Sequence, residues 1–225
     1  MKDLIVVSYA THRAGLLDEY EQQLKDAKID FHLEPVELAD GINSVTARWK
    51  FEYMRRMCEK FENYERIIFT DAWDVLFCGY KREVLRNAPA HMLIGAERNC
   101  WPEPWLAKSI VDTTAWPFVN PGLISGSPEG ILWWTKQALK LEDLDLLEQQ
   151  WMNRCRALNW IPMCLDVHTQ LFYTVSEDKE HGELQSRAGD PWNRSLRTYP
   201  QFFHFSGKCP TEPFRAMLRG ETLSL

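Results

Sequence analysis

The chain lacks the features that would commit it to a membrane. No apolar run approaches the roughly 18 residues of a bilayer span. Met1-Lys2-Asp3 leads into only a short apolar run, Leu4 to Val7, and no signal peptide is visible. A cytoplasmic protein with no membrane partner is the expectation. The six cysteines, at 58, 78, 100, 155, 164 and 209, contain no C-x-x-C pair, so a zinc framework has no basis and reduced core thiols are expected. There is no G-x-x-x-x-G-K-[ST], G-x-G-x-x-G, G-x-S-x-G or H-E-x-x-H. P-loop and Rossmann phosphate binding, the serine nucleophile elbow and the zincin helix therefore have no support. An excess of positive charge is also missing. The net charge of −6 gives no global attraction to nucleic acid or anionic lipid, although a local basic groove remains compatible with it. Internal repeats and low-complexity tracts are absent.

What is present is ample core material. The 225 residues are 45% hydrophobic and include 10 Trp, some of which are expected to line a site. One domain follows from the length. LIVVSYA at 4–10 reads as a buried strand, 15–28 as a helix and 31–37 as a second strand. Trp49, Tyr53, Met57 and Phe61 form an i, i+4 row that predicts a helix over about 46–61. RIIFT at 66–70 is the next strand, 82–87 a short helix and 91–96 another strand. CWPEPW at 100–105 predicts irregular chain, and FVNPGLISG at 118–126 predicts strand, tight turn, strand. Ser127-Pro128 starts a helix with Ser as N-cap and Pro at the first position. Leu144, Leu147, Trp151, Cys155 and Leu158 stripe another, and the last 50 residues read as irregular. Strands alternating with helices argue for an α/β sandwich with a mostly parallel sheet flanked by helices. Ligands of such sheets sit beyond the carboxyl ends of strands.

FTDAWDVLF at 69–77 puts Asp71 and Asp74 at such an end. Carboxylates do not stay ionised in an apolar core without partners. The pair therefore reads either as an exposed turn, with Asp71 capping the next segment, or as a divalent-cation site. Hard oxygen ligands suit Mn²⁺ or Mg²⁺, commonly together with substrate phosphates. Trp73, between the acids, offers a flat face for a base. Far downstream, FFHFSGK at 202–208 carries His204, Gly207 and Lys208. A histidine among aromatics is a satisfied core residue or a ligand. An imidazole beside two carboxylates suits Mn²⁺ better than Ca²⁺, Gly207 lets backbone approach a ligand, and Lys208 can pair with phosphate.

Six segments in order carry a family resemblance: VVSYAT (6–11), FTDAWDVLFCG (69–79), AERNCWPE (96–103), FVNPGLISG (118–126), QLFYT (170–174) and HFSGKCPT (204–211). Together they resemble the glycosyltransferase domain of the procollagen lysyl hydroxylase and collagen glycosyltransferase group, with its viral and bacterial relatives. The resemblance implies a single domain of GT-A fold over 1–225, its nucleotide-binding part over about 1–100 and its sugar and acceptor part over about 101–225. It also implies transfer of a hexose, glucose or galactose, from a UDP-sugar, with retention of configuration. It implies Mn²⁺ or Mg²⁺ on Asp71, Asp74 and His204. It sets Trp73 against the uracil, Thr11 near the uridine, and Lys50, Gly207 and Lys208 near the phosphates. Trp101, Asn120, Asp166 and Gln170 fall to the sugar and its transfer.

Departures from the family are concentrated on the acceptor side. The run of aspartates before QLFYT is reduced here to Asp166 in DVHTQ, the family's GGGQK is TARWK, and its terminal HGNG is HFSG. Asp166 has a second reading, as the N-cap of a helix over 167–174. The acceptor is a hydroxyl on a hydroxymethylated DNA base, a glycan, a protein side chain or a small molecule. Arg187, Arg194 and Arg197 around Trp192 supply the cation and aromatic mix that nucleic acid contacts use, or else a solvated loop. Two other classes stay open. One is an inactive module that binds nucleotide-sugar. The other is a metal-dependent phosphohydrolase or nucleotidyltransferase built on the same acids.

Overall fold

The first apolar run becomes the interior of a sheet. In β1 (Lys2–Ala10) the residues Leu4 to Val7 are all buried, as expected of a strand covered on both faces. It pairs in parallel with β2 (Asp30–Pro35) and with β3 (Tyr64–Thr70). The sheet continues through β6 (Phe118–Gly126) to β5 (Leu93–Glu97) and β7 (Cys164–Leu165), in the order β2-β1-β3-β6-β5-β7. β6 runs against both of its neighbours, and the other strands share one direction. The computed structural model describes residues 2–37, 45–79, 81–89, 91–176, 183–187 and 190–219.

A second sheet of three short strands, β4 (Val75–Phe77), β11 (Phe202–Phe205) and β8 (Phe172–Val175), is ordered β4-β11-β8. β9 (Leu184–Arg187) and β10 (Asp190–Asn193) make a separate hairpin. The helices are α1 (Leu17–Asp26), α2 (Ala47–Lys60), α3 (Arg82–Asn87), α4 (Pro128–Ala138), α5 (Glu148–Leu158) and α6 (Glu212–Leu218). The aromatic row on α2 faces the core: Tyr53 and Met57 are buried, and Trp49 and Phe61 pack against the same cluster. Two N–H groups in the first turn of α2 find carbonyls just ahead of α5, Ala47 to Leu146 and Arg48 to Leu144, both at 2.9 Å. These bonds hold the N-terminal ends of the two helices side by side.

Several sequence expectations are corrected. Residues 118–126 are one continuous strand rather than two. Against β5 its register jumps from Ile94↔Ile124 to Gly95↔Asn120, and Pro121 sits in that irregularity, where a residue without an N–H leaves no ladder bond unmade. Of the stretch 100–105, expected to be irregular, Pro104 and Trp105 instead open a 3-10 helix over Pro104–Ser109. No helix spans 167–174; Phe172–Val175 are β8 instead. The last 50 residues hold β9, β10, β11 and α6 rather than irregular chain. Leu144 and Leu147 precede α5 rather than lying on it. The cysteines are all free, but Cys164 is exposed rather than in the core. No helix among the described residues is long and apolar enough to cross a membrane.

Candidate functional site

A cleft of about 350 Å³ opens at the carboxyl ends of β1 and β3. Asp71 follows β3, and its N–H donates to the Gly122 carbonyl at 2.8 Å. Asp74 immediately precedes β4. That strand pairs antiparallel with β11, where His204 lies opposite Val75, and the Phe205 N–H donates to the Asp74 carbonyl at 2.8 Å. The main sheet thus delivers the acids and the small sheet delivers the imidazole. Nε2 of His204 lies 3.5 Å from Asp71 Oδ2 and 3.3 Å from Asp74 Oδ2. One ligand atom from each of the three residues falls within 4.8 Å of the others. Two hard oxygens and one imidazole nitrogen at that spacing fit Mn²⁺ or Mg²⁺.

His204 is held in place from behind. Its Nδ1 is 2.9 Å from Asn120 Oδ1, which also accepts from the Gly122 N–H at 3.1 Å. Asn120 Nδ2 donates to Glu97 Oε2 at 2.8 Å, and Gln149 Nε2 donates to Glu97 Oε1 and to the Val119 carbonyl. Burial opposes a charge on His204, but Asp74, Asp71 and Glu97 outweigh it and push the imidazole up to about 9. The approach is so close that a Cβ on Gly122 would stand 2.3 Å from His204 Cε1 and 2.9 Å from Asp71 Oδ2.

The other wall is formed by Trp73, whose indole N–H donates to the His12 carbonyl at 3.0 Å. Gly15, at φ +59°, approaches the Trp73 carbonyl so closely that a Cβ would lie 2.2 Å away. Thr11, Trp101, Asn120, Ser206 and Gly207 also line the cleft. Trp101 is 52% exposed, with its carbonyl held by Asn153 Nδ2 at 3.2 Å. Lys50 is only 1% exposed and stands behind the wall, its ammonium 3.5 Å from Asp71 Oδ1 and 3.3 Å from Glu148 Oε2. Burial works against its charge, but Glu148, then Tyr9 and Asp71, outweigh it and keep the lysine protonated.

Besides Lys50, which stands behind the wall, two candidates do not line the cleft. Asp166 is buried, and its carboxylate accepts from the backbone N–H groups of Gln170, Leu171 and Phe172 at 2.8–2.9 Å. Burial pushes its carboxyl above the usual range, and the three amides oppose the shift. Gln170 is exposed, and neither residue lines the cleft. The side chain of Lys208 lies outside what the structure describes. Sequence reasoning missed four residues of the site. Tyr9 and Glu97 lie inside segments that carry the resemblance, a signal that could have found them. Glu148 and Gln149 look in sequence like the ordinary acidic start of a helix.

A comparison of known proteins gives a consistent picture. A Caenorhabditis elegans multifunctional procollagen lysine hydroxylase and glycosyltransferase is 28% identical over 228 residues, which is 92% of this chain but only 31% of that protein. A glycosyltransferase involved in glycosylation of the major capsid of PBCV-1 superposes with a TM-score of 0.55 at 15% identity, covering 96% of this chain and 98% of the other. The galactosyltransferase LgtC, solved with donor and acceptor sugar analogues, superposes with a TM-score of 0.53 at 13% identity, covering 98% and 97%. Both share the GT-A fold of glycosyltransferases with this chain. The model of the PLOD GT domain matches residues 1–212, so the chain belongs to that glycosyltransferase family.

Proposed function

We propose that this chain transfers a hexose, glucose or galactose, from a UDP-sugar to a hydroxyl acceptor, with retention of configuration. The reading is carried by the convergence of Asp71, Asp74 and His204 on one point of a cleft that Trp73 and Thr11 also line. In it, Asp71, Asp74 and His204 hold Mn²⁺ or Mg²⁺. Trp73 stacks on the uracil and Thr11 meets the uridine. Gly207 and Lys208 face the diphosphate, and Lys50 supports it from behind Asp71. Trp101 and Asn120 border the sugar.

Breaking the bond from the anomeric carbon to the diphosphate leaves negative charge on the departing phosphate. A bound divalent ion supplies electrostatic stabilisation of that charge. The residues contribute a fixed frame: Asp71 and Asp74 are anchored by their backbones, and Asn120 fixes the ring of His204. Preorganised groups of this kind need no rearrangement as the charge develops. Asp166 and Gln170 take the supporting role of shaping the turn before β8.

The deciding test is a donor screen with UDP-glucose, UDP-galactose and UDP-GlcNAc in Mn²⁺, with UDP release as readout. Asp74→Asn is expected to lower metal-dependent turnover by roughly 100-fold or more while the folded state, read by circular dichroism, is retained. Unchanged turnover in that variant would sink the assignment. Release of phosphate or pyrophosphate in place of UDP favours the hydrolase reading, and UDP binding with no turnover favours the inactive module. The acceptor arms, read by mass spectrometry, include hydroxymethylated DNA. That arm is motivated by exposed Arg187, Arg194 and Arg197, the first with its guanidinium 5.2 Å from the Trp192 ring.

A further inference from the structure

We propose that Glu148 is the carboxylate that reads the donor's sugar, accepting hydrogen bonds from hydroxyls of the transferred hexose. The inference rests on the glycosyltransferase reading and deepens it. Among the described residues lining the cleft, the acids are Asp71, Asp74 and Glu148. The first two belong to the metal set. Asp166, which stands where the family has its run of aspartates, has both oxygens committed to backbone amides and lies outside the lining. Glu148 is the carboxylate left to face a ligand.

Its surroundings point the same way. The polar neighbours in the wall are already engaged: Gln149 Nε2 by Glu97 and Val119, and Asn120 by Glu97, Gly122 and His204. Glu148 Oε1 accepts from the Lys50 ammonium at 3.4 Å, whereas Oε2 is buried and has no hydrogen-bond partner, although the same ammonium, which Asp71 Oδ1 shares at 3.5 Å, lies 3.3 Å away. A buried carboxylate oxygen without its hydrogen bonds is a costly arrangement. Burial pushes the Glu148 carboxyl up to about 7 against the pull of Lys50; hydroxyl donors from a ligand would satisfy the oxygen and favour its charged form. The Lys50 ammonium is in contact with both the Glu148 and the Asp71 carboxylates. Glu148 thus lines the same cleft as Asp71 and is linked to it through one ammonium. Tyr9, beside the same ammonium at 5.0 Å from its ring centroid, closes the wall.

The test compares affinities for UDP and for the UDP-hexose that the wild type uses, each with Mn²⁺. Glu148→Gln keeps the shape of the side chain and removes its charge. It is expected to weaken UDP-hexose by about 10-fold or more and to leave UDP within about twofold. A series of deoxyhexose donors should lose affinity for the wild type at one hydroxyl and show no such step in the variant. Glu148→Asp, which keeps a charge opposite Lys50 but withdraws it by a methylene, carries the same comparison if Glu148→Gln does not fold. Equal weakening of UDP and UDP-hexose would make Glu148 a mere counter-ion of Lys50 and overturn the proposal. A loss confined to acceptor KM would overturn it as well. Absence of any Mn²⁺-dependent UDP binding by the wild type is a different failure, that of the glycosyltransferase reading itself.

Discussion

At the scale of single residues, the candidate metal set of Asp71, Asp74 and His204 would be controlled by one proton. Neutral imidazole binds a cation, whereas His204 without one is held protonated up to about 9 by Asp74 and Asp71. Below that pH an incoming ion must displace the proton. Apparent Mn²⁺ affinity should therefore rise with pH between 6.5 and 8.5, with close to one proton released per ion. Titration in buffers of different ionisation enthalpy measures this, and His204→Gln should abolish the release. The sign for metal-free stability is the opposite. Because the folded value is raised from 6.5 to about 9, protonation of His204 stabilises the fold fully below 6.5, and that contribution fades as pH climbs through 9. Melting curves in chelator across that window check it. Gly122 supplies a second prediction. A methyl there would overlap the ring of His204 and crowd Asp71, so Gly122→Ala should weaken Mn²⁺ binding by at least about tenfold, a displacement of about 1.4 kcal/mol, as seen by isothermal titration.

At the scale of elements, what was legible depended on whether the signal was local. The helix start at Ser127-Pro128 was local. The Ser127 hydroxyl accepts from the Gly130 N–H at 3.1 Å, with Pro128 opening α4. Ser127→Ala should cost about 1 kcal/mol in chemical denaturation and leave turnover unchanged, since α4 carries no residue of the cleft. The acid pair was legible because a buried strand ended on it. The β6 strand was misread because Pro-Gly announces a turn locally, while the register irregularity that tolerates Pro121 depends on β5, which is distant in sequence. The helix imagined over 167–174 failed for a related reason: the carboxylate of Asp166 does cap N–H groups, but of a turn that feeds β8, and Phe-Tyr-Thr-Val are strand formers. Glu148 and Gln149 gave no sign at all. Their place in the cleft follows from backbone bonds between Ala47 and Leu146 and between Arg48 and Leu144, which align α5 with α2.

At the scale of the whole molecule, the cleft couples parts of the chain that share no local structure. Its lining runs from Tyr9 to Gly207 and draws on both sheets and on the start of α5. The small sheet matters most here, because β11 carries His204 yet is bonded only to β4 and β8 within that sheet. If Asp71, Asp74 and His204 held an ion, the two sheets would be tied together through it, and UDP seated on Trp73 would add the β1 end to the same unit. Ligands that bind the folded chain alone stabilise it by mass action, by about 2.7 kcal/mol at a concentration 100 times the Kd. For a chain of this size each kcal/mol raises the melting temperature by roughly 2–4 °C. Mn²⁺ with UDP should thus shift the melting temperature by about 5–10 °C. The joint shift should exceed the sum of the two separate shifts, because on the proposed reading a diphosphate would share the ion held by Asp71, Asp74 and His204 and each would favour the other's binding. Asp74→Asn should remove the excess while leaving any shift from UDP stacking alone. A strictly additive response in the wild type would mean that nucleotide and ion occupy independent sites.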